Sequence, residues 1–126
     1  MIEVGYEQKS PKYLLDEIGY DIIAYYRAFY IFNKTLGIQK RELMLLSMFY
    51  IKKDKDGGMT EAEVSAFYGT VNRGTPSVIA KLRKMGFIEK TVRSHAKAYY
   101  ITRKGSDTIK KFADTYYSEK LKLAEL

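Results

Sequence analysis

The run Gly74-Thr75-Pro76-Ser77-Val78-Ile79-Ala80-Lys81-Leu82-Arg83-Lys84-Met85-Gly86-Phe87-Ile88-Glu89-Lys90 decides how this chain folds, because the hydrophobic period changes inside it. Thr75-Pro76 reads as a helix start, with Thr as the cap and Pro in the first turn. Thr75, Ile79, Leu82 and Met85 or its neighbour then fall on one side at helical spacing, and Gly86 ends the helix. From Phe87 the pattern switches. Residues 87–93 and 98–102 are rich in β-branched and aromatic side chains and predict two strands. Ser94-His95-Ala96-Lys97 joins them as a hairpin tip.

Upstream of this run the chain reads as helices. Residues 1–10 are polar and without period, a loose arm, and Ser10-Pro11 has the form of a capped helix start. Leu15, Ile18, Ile22, Tyr25, Tyr26, Phe29 and Phe32 then recur at helical spacing, predicting a long amphipathic helix over 11–36 that Gly37 ends. A second helix is expected over 39–53. Asp54-Lys55-Asp56-Gly57-Gly58 reads as a turn, and Thr60-Glu61-Ala62-Glu63 has the capping-box form that opens a third helix to Tyr68. Residues 69–74 make another turn. Downstream, Thr102 caps a last helix over 103–123, with Ile109, Phe112, Tyr116, Tyr117 and Leu121 among its stripe.

Helix, short helix, turn, helix and hairpin in this order make a helix-turn-helix followed at once by a β-ribbon, a winged helix. The expected class is therefore mainly α with a small β-hairpin: a single domain over 1–126 whose winged helix spans 38–102, flanked by long helices at 11–36 and 103–123. Length supports one compact core.

Two phrases carry a family resemblance. Leu82-Arg83-Lys84-Met85-Gly86-Phe87-Ile88 before the hairpin and Ile101-Thr102-Arg103-Lys104-Gly105 after it resemble the phrases that frame the wing of MarR-type regulators. The resemblance covers about residues 38–112; the flanking helices agree with the family's dimerisation helices in position. Tyr99-Tyr100 before Ile101 also resembles PadR-type regulators, but the long preceding helix favours the MarR-like reading. The tip Arg93-Ser94-His95-Ala96-Lys97 departs from the family by lacking its aspartate-x-arginine pair. The resemblance implies a homodimeric transcription regulator, a repressor among the choices, with a small aromatic effector as a partner class. No residue identifies such a ligand.

Charge points the same way. The 126 residues carry 22 Lys and Arg against 15 Asp and Glu, a formal net charge of +7. Residues 1–72 and 112–126 are each net −1, whereas residues 73–111 hold 11 cations and two carboxylates, net +9. A 39-residue cationic segment suits a polyanion, because neutralised phosphates release condensed counterions. In a helix-turn-helix the second helix enters the major groove. Arg73, with Gly74 beside it, and Ser77 are expected at base edges, and Lys81, Arg83 and Lys84 at phosphates. Arg93, His95 and Lys97 at the hairpin tip are expected over the minor groove or the neighbouring backbone. Double-stranded DNA is thus the expected partner. Tyr20, Tyr25, Tyr26, Phe29, Tyr116 and Tyr117 form aromatic stripes wider than one small core absorbs, which predicts a homodimer interface. The rival reading is a winged helix used as a protein-interaction module, as in a phage or mobile-element assembly, because fold alone does not fix function.

Other chemistry finds no support. The chain has no Cys and one His, so disulfides, thiolate chemistry and Cys- or His-cluster metal sites are excluded, and no cofactor is expected. Asp54 to Glu63 resembles part of a calcium loop, but its first ligand position is Lys52. Ser94-His95 lacks an orienting carboxylate, and Gly57-Gly58 lacks the Lys-Ser/Thr of a phosphate loop, so no enzyme is expected. The acidic opening Met1–Glu7 predicts no secretory signal, and no apolar run reaches the ~20 residues of a membrane span. A soluble, cytoplasmic protein without membrane contact is expected.

Overall fold

A computed structural model describes residues 11–68, 74–93 and 95–126, with only the backbone described at 11–14, 68 and 93. The expected arm at 1–10, most of the turn at 69–74, and Ser94 lie outside the described residues. In chain order come α1 (Pro11–Leu36), α2 (Lys40–Ile51), β1 (Met59–Thr60), α3 (Glu61–Tyr68), α4 (Thr75–Lys84), β2 (Ile88–Arg93), β3 (Ala96–Ile101) and α5 (Arg103–Ala124). They divide into two compact units, one over residues 36–111 and one formed by α1 with the C-terminal part of α5.

The unit at 36–111 is built around Ile38, Leu43, Leu46, Phe49, Val64, Ile79, Leu82 and Ile88, all buried. Two of its helices, α2 and α3, begin where side chains take up free backbone amides at the first turn. The Gln39 N–H donates to Glu42 Oε1 at 2.8 Å to open α2. At α3 the capping box is complete: the Thr60 N–H donates to Glu63 Oε1 at 3.0 Å, and the Glu63 N–H to Thr60 Oγ1 at 3.2 Å. Thr75 does not cap α4 as expected. Gly74 is the N-cap residue, and Thr75 is the first helical residue and is buried.

The end of α4 explains the two framing phrases of the sequence. The Phe87 N–H donates to the Leu82 carbonyl at 3.0 Å and the Gly86 N–H to that of Arg83 at 2.9 Å, with Gly86 at φ 81°. This is a Schellman motif, and Leu82 and Phe87, at its apolar positions, are both buried. The Gly86 carbonyl then accepts the Thr102 hydroxyl at 2.7 Å, while Thr102 Oγ1 in turn accepts the Gly105 N–H at 3.1 Å and so caps α5. Lys104 Nζ reaches the Met85 carbonyl at 3.0 Å. A Cβ on Gly105 would lie 2.2 Å from the Phe87 carbonyl oxygen, so only glycine lets α5 start this close to the turn. One joint thus uses both phrases.

The sheet differs from expectation in two ways. It has three strands in the order β1-β3-β2, both pairings antiparallel, because Met59 and Thr60 pair with Tyr99 and Ala98. The hairpin tip is also shorter than the expected four residues. Arg93 pairs with Ala96 and Val92 with Lys97, and His95 stands at φ 67°.

In the other unit, α1 packs on the later turns of α5. Ala24 and Ala28 are fully buried, and Tyr25, Phe32 and Phe112 meet edge-on at centroid distances of 5.8 and 5.2 Å. Ion pairs tie the helices together: Arg27 to Glu119 at 2.8 Å, and Lys120 to Asp21 at 2.7 Å and to Glu17 at 3.1 Å. The Tyr116 hydroxyl donates to Asp21 at 2.5 Å. Lys120 and Tyr116 hold the Asp21 carboxyl below its ordinary range, and Lys122 and Arg27 do the same for Glu119.

Candidate nucleic-acid interface

The buried side of α4 is Thr75, Val78, Ile79 and Leu82, so the opposite side carries Ser77, Ala80, Lys81, Arg83 and Lys84 into solvent. At 3.6 residues per turn, Ser77 and Lys84 align within about 20° along the helix. Ala80 and Lys81 flank that line on opposite sides, at about 60° and 40°. The Ala80 flank opens into a groove lined also by Arg83, Lys84, Ile88, Glu89 and Lys90, between α4 and β2. The Lys81 flank turns to α2, where Lys81 Nζ lies 3.0 Å from Glu42 Oε2.

The sequence-predicted residues therefore come together unequally. Arg73 lies outside the described residues, as does the Arg93 side chain. Gly74, Ser77, Lys81, Arg83 and Lys84 share the start and outward side of α4. Arg83 sits over the buried Tyr99 ring at 6.0 Å, a cation–π contact that keeps its stem on the wing. Burial pushes the Tyr99 phenol up, Glu61 adds to the rise and Arg83 opposes it. No described residue pairs with Lys84. His95 and Lys97 are exposed at the far end of the hairpin.

Three contributors are missing from the sequence-based set. Arg41, from the first turn of α2, places its guanidinium against Gly74: a Cβ there would lie 2.3 Å from an Arg41 terminal nitrogen. Lys90 adds a cation to the groove. The groove's one carboxylate, Glu89, accepts the Tyr100 hydroxyl at 2.6 Å. Arg41 and Lys90 stand outside any local motif, and only the tertiary packing brings them to α4.

The aromatic stripes of the other unit also separate. Tyr20, Tyr26 and Tyr117 are exposed, as are Leu15, Ile22 and Leu121. Tyr25 is half-buried, and Tyr116 is engaged by Asp21. Phe29 is buried and stacks parallel to Tyr25 at 6.3 Å. Phe29 thus serves the packing of its own chain and does not offer the outward surface expected of it.

Among the described residues, no group of three His, Cys, Asp or Glu side chains is placed to hold a metal ion. None of the described helices is long and apolar enough to cross a membrane.

No protein-family model matches the chain. No curated protein matches it either. Solved structures do. MepR, a transcription regulator of the Staphylococcus aureus multidrug efflux pump MepA, aligns with a TM-score of 0.71 at 14% identity, over 93% of this chain and 84% of that one. A complex of S. aureus MepR with DNA aligns at 0.70 and 14% identity, over 90% and 83%. S. aureus MepR bound to ethidium bromide aligns at 0.64 and 13% identity, over 94% and 84%. At such identities the likeness concerns the fold, and the fold is the winged helix with long flanking helices that the sequence predicts.

Proposed function

We propose that this chain is a sequence-specific double-stranded DNA-binding regulator of transcription, a repressor, acting as a homodimer. The observation that carries the reading is the coincidence of charge and fold: of the net +9 of residues 73–111, +8 lies on α4, the β2–β3 hairpin and the start of α5, Arg73 being outside the described residues. In this reading α4 enters the major groove, with Arg73 and Ser77 at base edges and Arg83 and Lys84 at phosphates. The hairpin is the wing, and Arg93, His95 and Lys97 meet the minor groove or the adjoining backbone. Support comes from the fold shared with a regulator that has been solved on DNA.

One helix-turn-helix reads only a few base pairs, so two copies are required for a site of useful length. The exposed apolar side chains of α1 and α5, Ile22, Tyr26, Tyr117 and Leu121 among them, supply the surface for the second copy. A small aromatic effector belongs to the same reading, since one of the similar structures carries ethidium. The polypeptide works as a binder, not as an enzyme.

Selection of bound duplexes from a random pool, with retention measured at two salt concentrations, tests this. The expected product is a palindrome whose half-sites lie about one helical turn apart and whose retention falls steeply with salt. Recovery of no duplex at either concentration overturns the reading. A non-palindromic product overturns the homodimer.

A further inference from the structure

Lys81 is engaged before any duplex arrives. Its Nζ lies 3.0 Å from Oε2 of Glu42, a carboxylate only 6% exposed. The other oxygen, Oε1, takes the Gln39 N–H at 2.8 Å. Glu42 therefore does two things at once: it closes the first turn of α2 and reaches across to α4. A buried carboxylate stripped of its cation is strongly destabilising, more so than the pair is stabilising. A phosphate that captured Lys81 would strip it so, and would bring a second anion beside it. Lys84 carries no such tie among the described residues, although it lies only three positions along the helix.

Position agrees with this division. Lys81 sits on the flank of α4 that turns to α2, away from the groove that Ala80, Arg83, Lys84 and Lys90 share with β2. Shape alone leaves the seating of a short helix some latitude, since the crossing angles of packed helices scatter by about 15–20° around their preferred classes. A charged tether from a buried anchor removes that freedom.

We propose that Lys81 is a positioning residue and not a phosphate contact. The Glu42–Lys81 bridge fixes the rotation of α4 against α2, and thereby aims Ser77, Ala80 and Lys84 outward together. The proposal rests on the DNA-binding reading above. It takes Lys81 out of the phosphate set that the sequence predicts and adds Glu42, a buried anion, to the residues on which site recognition depends.

The test uses the full chain and a duplex selected by the unaltered protein. Binding is followed by fluorescence anisotropy across a salt series for Lys81→Gln, Lys84→Gln, Glu42→Gln and the Glu42→Gln/Lys81→Gln double variant. Lys84→Gln is expected to lower the slope of log K against log salt by about 0.9, the signature of one lost phosphate contact. Lys81→Gln is expected to leave that slope unchanged and to weaken the selected duplex about tenfold, with no loss on a non-specific duplex. Glu42→Gln keeps an oxygen for the Gln39 N–H and is expected to match Lys81→Gln. The double variant should lose no more than either single one. A slope reduced by about 0.9 in Lys81→Gln overturns the proposal, as does tighter binding by Glu42→Gln. An unaltered protein with no salt-dependent binding to any duplex removes the DNA-binding reading itself, and the proposal with it. Far-UV circular dichroism identifies a variant that has not folded; if that variant is Glu42→Gln, the slope of Lys81→Gln decides.

Discussion

Gly86 and Gly105 belong to one joint but are required for different reasons. Gly86 stands at φ 81°, and the nearest group to a Cβ there is the flexible end of Lys104 at 3.6 Å. Its demand is for a left-handed backbone alone. Gly86→Ala should cost about 1–2 kcal/mol, and Gly86→Asn less, because Asn tolerates that conformation. At Gly105 the backbone is helical, and the obstacle is the Phe87 carbonyl at 2.2 Å. Gly105→Ala should cost roughly 1–3 kcal/mol, and Gly105→Asn at least as much, because any side chain forces the turn and the helix apart. Urea denaturation of the four variants distinguishes the two mechanisms. Equal rescue by Asn at both positions would refute the distinction. Both glycines were legible in sequence as members of recurring phrases, but only the hydrogen bonds of Thr102 show that the phrases meet. Lys81 shows the opposite case. Its spacing from Ser77 and Lys84 predicts an exposed cation, which it is, while its partner Glu42 lies 39 positions away and leaves no local mark.

At the scale of elements, the strongest sequence signals were those that a helix end imposes on its own neighbours. Thr60 and Glu63 make both bonds of the predicted capping box, and Lys55 adds an ion pair to Glu63 at 3.4 Å. The carboxylate that resembled a calcium ligand is thus occupied at the start of a helix. Thr60→Ala removes the oxygen that receives the Glu63 N–H, and should cost about 1 kcal/mol, read as a lower denaturation midpoint with an unchanged m-value. Thr60→Ser should restore most of it. No loss in Thr60→Ala would mean that the pairing of β1 with β3 alone holds the start of α3. Signals that depend on a distant strand were not legible. Met59-Thr60 is too short to show a two-residue period and becomes a strand only because Tyr99 and Ala98 lie opposite. Ala96 and Lys97 have weak strand preference, and the register with Arg93 and Val92 draws them into β3. Thr75 has the chemistry of a cap, yet its burial beside Val78 and Ile79 makes it a core residue and leaves the N-cap position to Gly74.

At the scale of the molecule, charge is sorted between the units. Residues 73–111 concentrate the cations, whereas the pair formed by α1 and the end of α5 matches Glu17, Asp21 and Glu119 to a cation or a hydroxyl. That matching sets a pH window for stability. Asp21 and Glu119 have folded pKa values below their ordinary ones, Asp21 through Lys120 and Tyr116, Glu119 through Lys122 and Arg27. On acidification the unfolded chain therefore takes up these protons first. The stability they contribute is complete above the ordinary carboxylate range, about 3.9–4.3, and is lost as pH falls through the depressed folded values. Lys120 is shifted the other way, raised by Asp21 and Glu17, and Tyr116 is raised by burial and by Asp21. Both favour the protonated form in the folded chain, so their contribution is complete below about 10 and is lost as pH rises through the raised values. The thermal midpoint should thus be flat between about pH 6 and 9 and fall on both sides. Asp21→Asn removes the group common to both limbs. It should lower the plateau and flatten the acid and the alkaline decline together, whereas Glu119→Gln should flatten the acid limb alone. Melting curves followed by circular dichroism from the acid limb through the plateau to the alkaline limb check this; an Asp21→Asn protein whose midpoint still tracks the unaltered one on both limbs would place the sensitivity elsewhere in the chain.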